Sequence, residues 1–331
     1  MKTNKLQLNN MKSFKDYLDT VNQAIAAIPY PKEPRQLYEP IAYHMALGGK
    51  RVRPVLTLMA CEAMGGNMER ALDAALGLEL FHNFTLLHDD VMDNADVRRG
   101  KPTVHFQWND NTAILSGDTM LTIATQYIAR TANWQVMDLF NKTAIEIYEG
   151  QQWDMDYEHR IDVSVDEYIN MIRLKTSVLL GCALKMGALI ADASAEDADK
   201  LYEAGVNMGL AFQLRDDMLD VWGNPETFGK EIGGDIMNNK KTYLLINAIR
   251  LAQGDDADEL RHWLNDPYAT RDNKVAGVTA LYERLGVREM IEEAIAHYND
   301  LAIAAFNQVN ISDEDKQAFV QLANKLAGRL F

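Results

Sequence analysis

Two short aspartate clusters, DDVMD at 89–93 and DDMLD at 216–220, carry the residues best suited to chemistry in this chain. In an α-helix the first and last aspartates of each cluster lie four residues apart and share one face. Three carboxylates on about one turn repel one another and would destabilise a purely structural helix. Each cluster also follows an apolar run, FTLLH or AFQLR, where a solvated charged face is least expected. The repeated pattern therefore predicts cation binding.

The ligand type narrows the choice of cation. Oxygen ligands without clustered His or Cys favour Mg²⁺, or alternatively Mn²⁺, over zinc or copper. Because Mg²⁺ usually keeps positions for water or substrate phosphate, two such clusters predict a site that holds a diphosphate. A calcium EF-hand is excluded, since its loop spreads the ligands over about twelve residues. The predicted metal ligands are Asp89, Asp90, Asp93, Asp216, Asp217 and Asp220.

Basic residues occur beside both clusters, as a diphosphate site requires. Arginine pairs with phosphate oxygens in a bidentate manner, and lysine supplies a compact charge. Each of these residues alone would be interpreted as a surface charge, but their occurrence with two aspartate clusters favours diphosphate binding. The candidates are Lys50, Arg51, Arg53, Arg98, Arg99, Lys175, Lys230, Lys240 and Lys241.

The elements that must position these residues are predicted to be helices. Apolar residues recur with helical period, and no proline lies between Pro102 and Pro225. Gly100–Pro102 and the glycine-rich segment 223–239 interrupt the pattern. No linker divides the chain, so we expect one all-α domain over residues 1–331. The predicted helices are Val55–Met64, Ala71–Val91, 112–131, 134–158, 165–191, 195–222, 241–253, 257–264, 273–285, 287–307 and 313–330.

Composition excludes several classes of function. The 331 residues include 48 acidic and 33 basic ones, a net charge of −15, which argues against nonspecific nucleic-acid binding and against a polybasic membrane-surface protein. The longest nearly uncharged apolar stretch, 178–191, falls short of the roughly 20 residues that a membrane-spanning helix needs. The N-terminus has no apolar signal region. Only two cysteines occur, Cys61 and Cys182, which is typical of a reducing compartment and predicts a cytoplasmic location.

Five stretches of the chain resemble, in order, those of trans-isoprenyl diphosphate synthases, also called polyprenyl synthetases. They are GGKRVRP, LLHDDVMDNADVRRGKPTVH, GQQWD, LKT and GLAFQLRDDMLD, within about residues 40–245. The resemblance implies an isoprenoid-synthase helical bundle around a central cavity, a homodimer and three Mg²⁺ ions. It also implies that isopentenyl diphosphate is condensed with an allylic diphosphate, such as dimethylallyl, geranyl or farnesyl diphosphate.

The resemblance also implies roles for individual residues. Asp89 and Asp93, supported by Asp90, would bind magnesium, as would Asp216 together with Asp217 and Asp220. The residues implied to bind isopentenyl diphosphate are Lys50, Arg53, His82 and Arg99, and those implied to bind the allylic diphosphate are Arg98, Lys175, Lys230 and Lys240. Thr176 and Gln213 would line the region near the developing carbocation. Asn239 stands where the family commonly has glycine, which leaves the choice between Lys240 and Lys241 open.

Aromatic residues before the first cluster bear on product length. Phe84 and Phe81 precede Asp89 by five and eight residues, or about 7.5 and 12 Å of helix rise. A large aromatic residue at the position of Phe84 implies, by the resemblance, a C15 or C20 product. The helical wheel alone places Thr85 nearest the aspartate face, and both phenylalanines are equally compatible with a core position.

Three other functions share parts of this pattern. A longer-chain polyprenyl diphosphate synthase is the alternative that differs in product length. A terpene cyclase would not need an isopentenyl site such as GGKRVRP, and a non-catalytic subunit of a heteromeric synthase would usually have degraded aspartate motifs. Both motifs are intact here. The intact motifs therefore favour a trans-prenyltransferase, and Phe84 implies, by the resemblance, a short-chain one.

We predict that Asp89→Ala and Asp216→Ala each lower turnover by at least about a hundredfold, because each removes stabilisation of charge that develops in the transition state. Steady-state turnover with Mg²⁺ measures the loss, and circular dichroism checks that the helices persist. Near wild-type rates in both variants would contradict the predicted metal site.

Overall fold

Helices make up almost all of the regular structure in the computed structural model, which describes residues 12–224 and 232–328. Before the first strand lie α1 (Phe14–Ala26), α2 (Arg35–Ala46), α3 (Val52–Ala63) and α4 (Met68–Met92). Strands β1 (Val97–Arg98) and β2 (Lys101–Pro102) are followed by α5 (Val104–Gln107), α6 (Asp110–Arg130), α7 (Trp134–Glu158), α8 (Val165–Ile172), a π-helical segment (Arg173–Ser177), α9 (Val178–Ile190) and α10 (Ala195–Trp222). After the gap come α11 (Gly234–Met237), α12 (Tyr243–Leu251), α13 (Asp255–Asn265), α14 (Arg271–Arg284), α15 (Val287–Gln308) and α16 (Asp313–Gly328).

The helices predicted from the sequence agree with these elements, with differences in detail. The predicted helix 165–191 is wrong in one respect, because the π-helical segment Arg173–Ser177 interrupts it. The interruption at Gly100–Pro102 belongs to a two-stranded antiparallel hairpin, and the segment predicted as a loop at 223–239 contains α11. The predictions also omitted α1 and α2, the second of which holds Pro40 inside it.

The chain packs into two compact units, and the first comprises the described residues of Met1–Phe140, Cys182–Leu201 and Val309–Ala318. Its central helix is α4, which packs against α3 and α6. Leu78, Leu80 and Phe81 of α4 are fully buried on different sides of the helix, as expected of a core helix that is apolar all round. Burying each such side chain contributes about 1.5–3 kcal/mol. The first aspartate cluster begins in the last turn of this helix, which fixes its position.

The second unit comprises the described residues of Asn141–Gly181, Tyr202–Gln308 and Phe319–Phe331. Helix α12 packs against α8, α14 and α15, around a core that includes Leu214, Leu245, Leu281 and Ile291. The second aspartate cluster lies in the last two turns of α10. The expectation of one domain over the whole chain stays a prediction.

Among the residues that the structure describes, no helix is long and apolar enough to cross a membrane.

Candidate active site

The first aspartate cluster lies where α4 ends. Asp93 directly follows the helix, and its backbone N–H donates to the carbonyl oxygen of Asp89 at 2.8 Å. Asp90 is buried, and Arg98 Nε donates to its two carboxylate oxygens at 2.8 and 2.9 Å. Burial raises the pKa of Asp90, whereas the hydrogen bonds from Arg98 oppose that shift. Asp89 is half-buried and Asp93 is exposed, and the assignment of both as metal ligands with Asp90 in support stays a prediction.

The hairpin after α4 positions two of the predicted arginines. Arg99 and Gly100 connect its strands with φ values of 53° and 73°, which is the left-handed pair of a tight type I′ turn. Thr103 Oγ1 donates to the carbonyl oxygen of Ala95 at 2.7 Å and ties the hairpin to the end of α4. Arg98 thereby reaches Asp90, while Arg99 Nη1 donates to the carbonyl oxygen of Gly48.

The residues predicted to bind isopentenyl diphosphate lie in this same unit. Arg53 Nη1 is 3.2 Å from His82 Nε2, so this nitrogen of His82 accepts from an arginine that can only donate. Burial lowers the pKa of His82 well below its usual value, and Arg53 and Arg99 add to the effect. Burial also lowers the pKa of Arg53 to about 10. Cations crowded in this way favour a bound anion, which would offset their mutual repulsion.

Arg51 has a structural role between the exposed Lys50 and the half-buried Arg53. Its Nη1 lies 2.6 Å from Glu79 Oε1 and its Nη2 donates to the carbonyl oxygen of Met45 at 2.7 Å. Asn83 Nδ2 donates to the same glutamate oxygen at 2.9 Å. This buried pair anchors the chain where it enters α3, with Lys50 just before the helix and Arg53 in its first turn. This role of Glu79 was not predicted, although a lone acid within the apolar run AALGLELF is a signal for a buried ion pair.

Phe81 and Phe84 are both buried in the first unit. The Phe84 ring lies 4.7 Å from that of His88, the residue before Asp89, and the Phe81 ring lies 5.2 Å from that of Phe140. Thr85 is half-buried, and its hydroxyl donates to the carbonyl oxygen of His82 at 2.8 Å. Both phenylalanines thus belong to the core, and Phe84 also contacts the residue before the aspartate cluster. Their role in product length stays a prediction.

The second cluster is held by hydrogen bonds within the second unit. The Tyr168 hydroxyl donates to Asp217, and Gln213 Nε2 donates to the other oxygen of Asp217 at 3.2 Å. Burial and the nearby Asp235 raise the pKa of Asp217 to about 8, although the two hydrogen bonds act in the opposite direction. Asp220 Oδ2 accepts from the backbone N–H of Asp235 at 3.0 Å. Asp216, the first residue of this cluster, is half-buried.

Thr176 and Gln213, predicted to lie near the carbocation, are brought together. The Thr176 hydroxyl donates to Gln213 Oε1 at 3.3 Å. Because Gln213 also donates to Asp217, a chain of hydrogen bonds connects the LKT motif to the second aspartate cluster.

Lys175 lies in the π-helical segment, a wide turn of the kind often found at functional sites. Its Nζ is 2.6 Å from Asp154 Oδ2, and Lys240 Nζ is 3.7 Å from the same oxygen. Burial acts to raise the pKa of Asp154, but the two lysines outweigh it and leave the pKa below its usual value. The GQQWD motif therefore contributes a carboxylate that holds two cations side by side, a role that the sequence analysis missed.

The structure distinguishes the two lysines that follow Asn239. Lys241 Nζ donates to the backbone carbonyls of Glu158 and Asn239, both at 3.3 Å, whereas Lys240 faces Asp154. Asn239 has a φ of 50°, the left-handed conformation that glycine adopts readily and asparagine tolerates. The geometry thus favours Lys240 as the predicted phosphate ligand. Lys230 lies outside the described residues.

The described part of the chain contains no group of three His, Cys, Asp or Glu side chains close enough to enclose a metal ion. Mg²⁺ commonly takes one or two carboxylates and completes its coordination with water and substrate phosphate. Carboxylates at the end of α4, of which Asp89 is half-buried and Asp93 exposed, fit that mode of binding.

The all-helical scaffold is that of the isoprenoid synthases. Residues 34–284 match the polyprenyl synthetase family, and the chain belongs to that family.

Individual relatives agree with this assignment. A geranylgeranyl diphosphate synthase of Methanosarcina mazei is 44% identical over 233 residues, which cover 69% of this chain and 72% of the relative. A geranylgeranyl diphosphate synthase of Saccharolobus solfataricus is 35% identical over 309 residues, which cover 91% of this chain and 92% of the relative. The chain in a crystal structure of a geranylgeranyl pyrophosphate synthase is 45% identical in sequence and superposes with a TM-score of 0.92. The match covers 96% of this chain and 99% of that one. The predicted fold class and the predicted short-chain trans-prenyltransferase are confirmed.

The packing of α7 against the π-helical segment yields a test of how Lys175 is positioned. A methyl group on Gly150 would lie 2.3 Å from the backbone nitrogen of Lys175, so Gly150→Ala must displace this segment. We expect a several-fold higher KM for the allylic diphosphate and a loss of about 1–3 kcal/mol of stability from overpacking. Steady-state kinetics and chemical unfolding measure the two effects.

The matched control is Glu149→Ala at the neighbouring exposed position, which should change neither quantity. An unchanged KM in a folded Gly150→Ala variant would show that the position of Lys175 does not matter for substrate binding.

Proposed function

We propose that this enzyme condenses isopentenyl diphosphate with allylic diphosphates and releases geranylgeranyl diphosphate, a C20 product. The observation that carries the proposal is the convergence of Lys175 and Lys240 on one oxygen of Asp154, at 2.6 and 3.7 Å. Two ammonium groups sharing a single carboxylate retain net positive charge, which suits a diphosphate. The C20 product is supported by the relatives named geranylgeranyl diphosphate synthases.

The second substrate, isopentenyl diphosphate, is assigned to Lys50, Arg53, His82 and Arg99. Arg53 and His82 are in direct contact, and Arg99 is fixed by its bond to Gly48. Because the pKa of His82 is lowered, this ring stays neutral and does not add to the repulsion among the arginines. The arginines remain charged and bind phosphate oxygens.

The reaction begins when the allylic C–O bond breaks. Diphosphate leaves with the bonding electron pair, and the remaining carbon skeleton becomes a delocalised cation. Lys175, Lys240 and Arg98 stabilise the negative charge that develops on the departing oxygens. Magnesium, when bound, would supply Lewis-acid neutralisation of the same charge, held by Asp89, Asp93 and Asp216 with Asp90, Asp217 and Asp220 in support.

Bond formation follows ionisation. The isopentenyl double bond attacks the cation, and a proton is lost from the adduct to the departed diphosphate. We assign Thr176 and Gln213 to the region of positive charge, where their oxygen atoms present partial negative charge. Their mutual hydrogen bond at 3.3 Å keeps both in place.

We also propose that the enzyme is a homodimer in the cytoplasm. Helix α7 exposes large apolar side chains, among them Ile145, Tyr148 and Met155. Exposed apolar side chains on one helix are typical of a subunit contact. Both cysteines are buried, which is consistent with a reducing compartment.

The product assay is the direct test. We expect the purified protein to convert isopentenyl diphosphate and an allylic primer to C20 alcohol after dephosphorylation, and a chelator to abolish turnover. Chromatography sizes the alcohols for each primer in turn. C15 or chains longer than C20 as the main product would overturn the assigned chain length, and no product with any primer would overturn the function.

A second test addresses the residues that limit chain length. Phe84→Ala removes a buried ring next to His88, and we expect it to shift the product ladder by at least one isoprene unit. Phe106→Ala, at a phenylalanine that is 61% exposed, is the control and should leave the ladder unchanged. An unaltered ladder in a folded Phe84→Ala enzyme would mean that Phe84 serves only the core.

A further inference from the structure

Lys274 and Asn239 make a buried polar contact behind the turn that precedes Lys240. Lys274, on α14, is only 6% exposed, and its Nζ donates to Asn239 Oδ1 at 2.8 Å and to the carbonyl oxygen of Met237 at 3.2 Å. Asn239 Nδ2 donates in turn to the carbonyl oxygen of Leu264 at 3.0 Å. Both ends of the Asn239 amide are therefore held, one by α14 and the other by the backbone of α13.

The backbone of Asn239 needs such support. Its φ of 50° lies in the left-handed region, which costs energy for any residue with a Cβ, although asparagine tolerates it better than most. The hydrogen bonds of its side chain offset that cost. They also fix which way the chain leaves the turn towards Lys240.

The main chain on both sides of Lys240 is fixed as well. The N–H of Lys240 donates to the carbonyl oxygen of Asp235 at 2.9 Å, and the N–H of Thr242 donates to the carbonyl oxygen of Lys240 at 2.8 Å. With its backbone set, the Lys240 side chain extends to Asp154 beside Lys175. A shift of the turn would therefore move the Lys240 ammonium relative to that of Lys175.

Packing does not hold this turn from every side. A cavity of about 340 Å³ lies against it, lined by residues that include Met237, Asn239, Leu264 and Lys274. This cavity is open to solvent, so on that side hydrogen bonds contribute more than packing to holding the turn. Burying an ammonium group is costly unless it is well bonded, and burial lowers the pKa of Lys274.

We infer that Lys274 is a positioning residue, which fixes the 237–240 turn through Asn239 and Met237 and thereby sets where Lys240 meets the allylic diphosphate. The inference rests on the proposed role of Lys240 as a ligand of that diphosphate. Lys274 itself binds the turn and is assigned no contact with substrate.

The test compares Lys274→Met and Lys274→Arg with Lys325→Met, a control at an exposed lysine. Loss of the charged donor in Lys274→Met should raise the KM for the allylic diphosphate about tenfold and leave the KM for isopentenyl diphosphate unchanged. Lys274→Arg keeps the charge and the donors, so it should restore most of the affinity. Calorimetric titration with inorganic pyrophosphate and Mg²⁺ should show the same order without turnover.

Substitutions of Asn239 test the same turn even if Lys274→Met fails to fold. Asn239→Gly keeps the left-handed backbone and loses the side-chain bonds, whereas Asn239→Ala loses both. The allylic KM should therefore rise from wild type to Asn239→Gly and again to Asn239→Ala. Equal KM values for all three enzymes would overturn the inference.

Lys240→Ala separates this inference from the proposed function. If Lys240→Ala raises the allylic KM and folded Lys274→Met does not, Lys274 has only a stabilising role and the inference is wrong. If Lys240→Ala leaves the allylic KM unchanged, the assigned diphosphate site is wrong, and the inference falls with it. A lower unfolding temperature in Lys274→Met with an unchanged KM counts against the inference.

Discussion

Pairing of opposite charges within each unit is the interaction on which the rest of this site depends. Arg98 is bonded to the buried Asp90, and Lys175 and Lys240 share Asp154. A long side chain on the surface samples many rotamers, whereas one bonded to a buried or half-buried carboxylate is restricted before substrate arrives. The carboxylates also reduce repulsion among the cations, so that several of them can lie close together. The net charge of −15 and a site for anionic substrates are therefore compatible.

A second set of contacts acts on the carboxylates themselves. Tyr168 and Gln213 bind Asp217, and the backbone of Asp235 binds Asp220. Each cluster thus has members that the protein holds by its own hydrogen bonds. In the first cluster Asp90 has this role. The last aspartates of the two clusters are not equivalent, because Asp93 is exposed whereas Asp220 is buried and accepts a backbone hydrogen bond.

The sequence predicted the parts of the site that depend on local spacing. The aspartate stripes follow from helical geometry, and the placement of both at helix ends follows from the apolar runs before them. Contacts between distant residues were beyond such reasoning. Asp154 and Lys240 are 86 residues apart and Tyr168 and Asp217 are 49 apart, so no periodicity relates them. The π-helical segment was not predicted for a different reason. One extra residue in a turn leaves the residue types typical of a helix, so composition does not reveal it.

The π-helical segment has one more consequence, for the phase of the side chains around it. Its wide turn, closed by the bond from the Val178 N–H to the carbonyl oxygen of Arg173, accommodates one residue more than an α-helical turn. Each residue of an α-helix advances by about 100°, so the stripe that α8 buries does not continue along α9. Shortening the segment by one residue would rotate every side chain of α9 by about 100° around the helix axis. The packing of α9 therefore fixes the length of Arg173–Ser177. The position of Lys175, which lies within this segment, depends on the same length.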